Sequence, residues 1–588
     1  MKDGGRTRTD PGHDRGFGRA LALALVIVLV GWFLASRSTL FDRDEPRFAQ
    51  ASVEMYEHGD WMVPTFDGEL RADKPILVYW LMAQPMRLFG ASAFTARLGS
   101  PVYLGLAALF LFAAARRLYG ERAGLLAMGL LAVSPLAMLE GTIATTDALL
   151  LACITAATAI VVHAALDGVR VRHVVGLALA LGAALLAKGP VGLAIPLLSA
   201  LTAAWLARGT GTFDRRFAAG VAIATLAGVA AFLAWAVPAN DATGGEFARR
   251  GIGHHVVARM STPLESHGGN FFLSLPFYVP VVVFGFLPGM ALLPAALSAT
   301  FGRRLGGRRG RALILAWILP GFVLMSVVST KLPHYVLPIW PGLALACAAL
   351  VEAHERGETN ERDRRWLSRG AWFLSVPAAI LVVGLAASPW LVKLDGAAAP
   401  AFALAALLAA TTFASVREHR RGRARAAAWT WIGGSAVAWI VGLTLAMPVV
   451  ERTKVAPAIA AAIRARVPAD VPVARWKFVE PSLDFYLNRP PVRDFETQAE
   501  FEAWALDASP AVLVIDRARL ESSRAVLAPE RYVEFASAHG FNLSKGKPLE
   551  LVALARGVPS IAAPNPSPSP GSADRAPTSG EVQAAPPR

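Results

Sequence analysis

Through the first 450 residues, apolar blocks of about 17–25 residues alternate with short polar connections, the length that crosses a hydrocarbon core. The pattern predicts about thirteen transmembrane helices, at 20–36, 94–115, 123–139, 147–165, 173–187, 190–206, 218–238, 271–297, 311–329, 334–351, 371–391, 399–416 and 427–448. The connections alternate in charge. One set is arginine-rich: the N-terminus, Arg116/Arg117/Arg122, Arg170/Arg172, Arg208/Arg215/Arg216, Arg303 to Arg311, Arg362 to Arg369, and Arg417 to Arg425. The other set, 37–93, 140–147, 188–189, 239–270, 330–333 and 392–398, is nearly free of basic residues or mixes them with acids. The positive-inside rule assigns the arginine set to the cytoplasm. That makes 1–19 a cytoplasmic N-terminus and 37–93 an external loop, with the C-terminal segment external as well.

After Val450 the periodicity changes. Short β-like runs such as Ala511 to Ile515 and Leu549 to Ala553 are separated by helical patterns, which predicts a small external α/β domain over 451–557. Residues 558–588 are rich in Pro, Ser and Ala and are expected to be disordered.

Composition supports the membrane reading. Of 588 residues, 54% are hydrophobic and only 17% charged, with a mean hydropathy of +0.45. The net charge of +15 comes from clusters between spans, a topological signal and not a nucleic-acid footprint. The two cysteines, Cys153 and Cys347, lie inside apolar blocks and offer neither a disulfide framework nor metal-ligand spacing.

Candidate chemistry concentrates in the predicted external loops. Nine acidic residues crowd 42–73, and carboxylates beside a bilayer usually pair with a cation, bind a metal or handle protons. Asp44 and Glu45 are adjacent, and a helix would place Arg47 on the face of Asp44; acids opening a helix also suit its dipole without any catalytic role. Asp73-Lys74-Pro75 sets a hard metal ligand beside a point charge suited to phosphate, although Pro also starts helices. Asp147 opens a span, where an acid often caps. His254, His255 and Arg259 suit metal or phosphate contact, with only one of the two adjacent histidines able to face a given ligand. Lys331 and Lys188 are cations at span ends, positions where a lysine can also simply snorkel. A nucleotide-binding loop is not recognisable, so no nucleotide cofactor is expected.

In order along the chain, Asp44-Glu45-x-Arg47-Phe48-Ala49, Gly59-Asp60-Trp61, Asp73-Lys74-Pro75, Tyr79-Trp80, Ala96-Arg97-Leu98, Thr146-Asp147, Ala187-Lys188-Gly189-Pro190, the His254 to Arg259 segment and Lys331 to Pro338 resemble the bacterial membrane glycosyltransferases related to the 4-amino-4-deoxy-L-arabinose lipid A transferase. More distantly they resemble the protein O-mannosyltransferases. The resemblance implies a GT-C fold in a multi-pass inner-membrane protein with its active site on the periplasmic face. It implies transfer of a sugar from a polyprenyl-phosphate donor to a membrane lipid or glycan acceptor. It further implies Asp44 as base, with Glu45 and Asp147 as companion acids. Arg47, Lys74, Arg259 and Lys331 become phosphate-binding cations, and Asp73 with His254 or His255 would hold a divalent metal ion. Tyr79 and Tyr335 become cavity walls. Two positions depart from the family pattern: Asp73 where Glu is common, and Phe48 where Tyr is frequent. A transporter or flippase is the competing class, but its ionisable groups would lie mid-span along a pathway.

Overall fold

The structure, a computed structural model, describes residues 11–41, 43–251, 274–489, 492–542 and 547–561. Among them, ten helices are long and apolar enough to cross a membrane. They are α1 (Pro11–Ala35), α5 (Gly99–Tyr119, continuous with the short α4, Ala93–Arg97), α8 (Asp147–Asp167), α9 (Val171–Lys188), α11 (Arg215–Ala242), α14 (Gly307–Val327), α15 (Trp340–Glu355, continuous with a 3₁₀ stretch over Pro333–Ile339), α16 (Glu361–Val392), α17 (Ala398–Arg420) and α18 (Ala424–Glu451).

Three of the thirteen expected spans are not single long helices. The block at 123–139 is α6 (Glu121–Val133) followed by α7 (Pro135–Glu140). Ser134 leaves the helical region at ψ 132°, as a residue before proline tends to do. The block at 190–206 forms α10 (Pro190–Leu206) of 17 residues. The block at 271–297 is described only from Ser274 and breaks into pieces, chiefly α12 (Tyr278–Gly285) and α13 (Leu293–Phe301). Pro276, Pro280, Pro288 and Pro294 account for this by removing backbone donors at short intervals. Irregular backbone at membrane depth is tolerated where protein covers it. Here Phe286 to Leu293 are buried, and the Gly285 carbonyl accepts from Trp340 Nε1 at 3.2 Å.

The loop after α1 folds onto the ends of the membrane helices. Its parts are α2 (Asp44–His58), a two-stranded hairpin β1 (Thr65–Phe66) and β2 (Glu69–Leu70), and α3 (Leu77–Phe89). In α2, Phe48, Ala49, Ser52, Val53 and Met55 face inward. The hairpin turns at Asp67-Gly68 with φ of 54° and 78°, the left-handed pair that a tight turn with the strands' own twist requires. Glu54, 4% exposed, holds this turn by accepting from the Asp67 and Gly68 amides at 2.8 and 3.3 Å and from Thr65 Oγ1 at 2.6 Å.

After α18 comes a four-stranded sheet in the order β3-β4-β6-β5, with β3 (Val473–Trp476) parallel to β4 (Ala511–Asp516). Strands β5 (Val533–Asn542) and β6 (Lys547–Arg556) complete it antiparallel. Both faces of β4 are covered: Val512 and Val514 pack under α19 (Val455–Arg466) and α20 (Pro481–Leu487). Leu513 and Ile515 pack with Trp476, Phe501 and Trp504, the last two from α21 (Gln498–Leu506). That explains the uninterrupted apolar run in this strand.

Candidate active site at the first loop

The first loop is pinned to the helix ends by a buried ion pair. Glu45, expected among the catalytic acids, is 2% exposed and accepts four hydrogen bonds. Arg97 Nε and NH2 donate at 2.7 and 2.6 Å, and the amides of Phe41 and Ala144 donate at 2.7 and 2.5 Å. The remaining Arg97 donors reach the carbonyls of Ala35, Ser38 and Thr39. Every strong position on this carboxylate is occupied, so Glu45 is an anchor and not a reacting group. The pair joins α2, the end of α4 and the turn before α8.

Asp44, one residue earlier, is exposed at the N-terminus of α2. It lies within electrostatic reach of Arg47 on its own helix and of His334 beyond α14. His334 stands 3.9 Å from Asp147 and 3.8 Å from Glu140. Asp147 Oδ1 accepts from Lys188 Nζ at 2.5 Å, with both side chains nearly buried. Helix ends favour this pairing: Asp147 begins α8, where the dipole is positive, and Lys188 ends α9, where it is negative. Lys188 also sits over the Tyr335 ring at 5.1 Å. Pro75 lies close against Gly189, which brings Lys74 to the same cluster, within electrostatic reach of Asp147 and His334. Asp44, Lys74, Asp147 and Tyr335 thus converge, as expected of one site. Lys188, a cation at a span end in the sequence, joins them, and so do Glu140 and His334, for which the available signal was an ionisable residue at the end of an apolar block.

A second group of charges flanks this one. Arg71 donates to the Tyr79 hydroxyl at 3.0 Å, pairs with Asp73 at 3.1 Å and lies over the Phe48 ring at 5.1 Å. Tyr79 is fully buried, so it backs Arg71 and does not line an open cavity; burial pushes its phenol up. Burial pulls Arg47 down, helped by the nearby cations Arg71 and Arg43. A guanidinium depressed by other cations is a place where an anion is welcome. Asp73, read as a metal ligand, has Arg71 as its ion-pair partner, and among the described residues no three His, Cys, Asp or Glu side chains gather as a metal site needs. His254, His255 and Arg259 lie outside the described residues.

Lys331 is a correction. Its ammonium donates to the carbonyls of Met325 and Val328 at 3.1 and 2.6 Å and to that of Ser326. All three donors therefore cap the C-terminal end of α14, where a cation complements the dipole, and none remains for a phosphate.

The sheet domain holds the loop from the other side. Tyr486 accepts from the Leu40 amide at 2.7 Å, and Lys454 donates to the Thr39 carbonyl at 2.9 Å while sitting 3.8 Å above the Phe41 ring. Arg475, 4% exposed, is bidentate to Asp494 through Nε and NH2, donates from NH1 to both oxygens of Asp484, and reaches Asp67 of the hairpin at 3.5 Å. One guanidinium cannot balance those acids together with Glu54. Burial first, then Asp484, pushes Asp67 up to about 7, and burial pushes Asp484 up to about 6. A carboxyl raised in the fold keeps its proton when the unfolded chain has lost it. Stability from this contact is therefore present at low pH and is lost as pH rises from about 4 through 7. Asn tolerates the left-handed backbone at position 67 and mimics the protonated acid. Asp67→Asn is expected to raise the melting temperature of the purified protein by several degrees at pH 8 and to leave it unchanged at pH 4. An equal shift at both pH values would disprove the titration.

A multi-span helical bundle with a charged, helix-bearing first loop clamped beneath an α/β domain defines a GT-C-type membrane protein. The fold is similar to that of ArnT from Cupriavidus metallidurans bound to undecaprenyl phosphate, with a TM-score of 0.74 at 22% identity over 92% of this chain and 98% of that one. In sequence, the chain is similar to the undecaprenyl phosphate-alpha-4-amino-4-deoxy-L-arabinose arabinosyl transferases. It is 28% identical to arabinosyl transferase 2 of Proteus mirabilis, over 56% of this chain and 58% of that protein. It is 29% identical to arabinosyl transferase 1 of Sodalis glossinidius, over 64% and 67%. The matched region spans about three-fifths of the length of these curated relatives. Residues 73–235 match the dolichyl-phosphate-mannose-protein mannosyltransferase family. The resemblance drawn from the ordered motifs along the chain therefore holds.

Proposed function

We propose that this chain is a membrane glycosyltransferase moving a sugar from a polyprenyl-phosphate donor to a lipid A-like glycolipid or another envelope glycan on the periplasmic face of the inner membrane. The observation that carries the reading is the convergence of Asp44 and Lys74 with the buried Asp147–Lys188 pair where the loop meets the helix ends. The first loop and the sheet domain touch through Tyr486 and Arg475, which puts both at one face of the bundle. The relatives named for undecaprenyl phosphate support the donor class.

In this reaction the acceptor oxygen bonds to the anomeric carbon while the bond from that carbon to the phosphate oxygen breaks. The acceptor proton goes to Asp44, and the leaving phosphate gains charge that Lys74 and Arg47 neutralise. Asp147 and Lys188 hold the site in register, and the exposed Asp44 remains open to the acceptor. The site residues sit at helix ends on one side, whereas a transporter needs ionisable groups along a path through the spans.

Reconstituted in liposomes, the protein is expected to transfer sugar from a polyprenyl-phosphate donor and to ignore the matching nucleotide sugar. Efficient use of the nucleotide sugar without lipid carrier would refute the proposal. A charge-assisted contact to phosphate contributes about 1.5–3 kcal/mol, so Lys74→Ala should cost at least about tenfold in kcat/KM for the donor. Lys74→Arg should recover only part of that, because a planar fork replaces a compact charge.

A further inference from the structure

At the opposite end of the bundle, helices α16 and α17 run antiparallel and leave a groove of about 650 Å³ between them. That volume lies within the ~300–1,000 Å³ usual for ligand sites. Its floor is made of small side chains, Ala378, Ala379 and Ala409, and Phe413 forms a wall that is 72% exposed. Around it, Trp372, Val376, Ile380 and Val383 are exposed apolar side chains, so the groove opens toward lipid. One end is different. Arg417, Arg420 and Arg421 line it, and helical spacing places them on the face of Phe413, at i+4, i+7 and i+8.

The charge there is unbalanced. Glu418 is the acid among these residues and meets Arg421 at 2.9 Å, Arg423 at 3.3 Å and Arg417 at 3.9 Å. Arg420 makes no ion pair with any described residue. Arg369 of α16, stacked over Trp366, adds to the same end, since Leu367 and His419 meet there. The neighbouring arginine connections form one layer with it, through Arg304–Asp363 at 2.9 Å and Arg425–Glu352 at 2.8 Å. An apolar channel that ends in several arginines at the bilayer boundary complements a molecule with an acyl chain and an anionic head. Arginine forks match phosphate oxygens, and basic pockets between membrane helices favour acidic phospholipids.

We propose that this groove binds one anionic phospholipid of the arginine-side leaflet, with an acyl chain against Ala378, Ala379 and Ala409 and its phosphate held by Arg417, Arg420 and Arg421. The site is separate from the first loop, and the proposal stands whatever sugar or acceptor the enzyme uses.

Native mass spectrometry of the full-length protein, with phosphatidylglycerol and phosphatidylcholine added at equal mole fraction, tests it. One phosphatidylglycerol is expected to survive collisional activation that strips phosphatidylcholine. The triple variant Arg417→Gln, Arg420→Gln, Arg421→Gln should lose that preference by about tenfold or more. Ala409→Trp fills the channel and leaves the arginines in place; because Ala409 is exposed, the helix should tolerate it, and lipid retention should fall as in the triple variant. Equal retention of both lipids would overturn the proposal, as would full retention in the Ala409→Trp protein. Stoichiometric displacement of phosphatidylglycerol by polyprenyl phosphate would overturn it too, by giving the groove to the donor.

Discussion

Asp44→Asn is expected to lower kcat for sugar transfer by about 10²–10⁴-fold while leaving donor binding within a few-fold of normal. The substitution keeps size and hydrogen bonding at an exposed helix N-terminus and removes the charge proposed to accept the acceptor's proton. Its structural cost should be small, since an acid in a first helical turn contributes only about 0.3–1 kcal/mol. Transfer assays with the lipid-linked donor, run beside a melting curve of the same preparation, separate chemistry from folding. A folded Asp44→Asn protein with near-normal turnover would remove Asp44 from the reaction and leave Asp147 or Glu140 as the acid to examine.

Breaking the Glu45–Arg97 pair should have the largest effect on stability. Arg97 is 1% exposed and meets both carboxylate oxygens as well as three backbone carbonyls. Arg97→Met strands a buried carboxylate, a loss of about 3–5 kcal/mol for pairs of this kind. The expected result is a sharp fall in the monodisperse fraction after detergent extraction and a marked drop in melting temperature. Adding Glu45→Leu to Arg97→Met should restore much of the stability, because replacing both charges by apolar groups is far less costly than orphaning one. Transfer activity should stay low in the double variant, since the Phe41 and Ala144 amides lose the acceptor that sets the loop. If the double variant is no more stable than Arg97→Met, the pair is not what holds the loop.

The long spans were legible because period, length and arginine alternation agree over many segments. Helices α8, α9, α17 and α18 lie close to the expected blocks, whereas α16 begins ten residues early and takes in the arginines at 362–369 that were expected to form a connection. The block at 271–297 misled because hydropathy counts Pro276, Pro280, Pro288 and Pro294 as neutral while each one interrupts a ladder of backbone hydrogen bonds. At the site, Asp44, Lys74 and Asp147 carry local signals: an acid beside an arginine, a cation before proline, an acid at a span's edge. What they pair with was not legible. Lys188 reaches Asp147 across 41 positions and Arg97 reaches Glu45 across 52, separations that only the packed helices bring together. Lys331 shows the opposite error. From sequence it is a cation at a membrane face, and only the carbonyls at the end of α14 reveal that its donors are already used.

The grip of Lys454 and Tyr486 on Thr39 and Leu40 joins residues more than 400 positions apart. During synthesis the first loop is made early and then waits. Its last fasteners exist only once nearly the whole chain has left the ribosome and the final segment has reached the same side as the loop. Contacts of such long range form late. A chain truncated before about Tyr486 should therefore insert its helices yet leave the first loop unfastened.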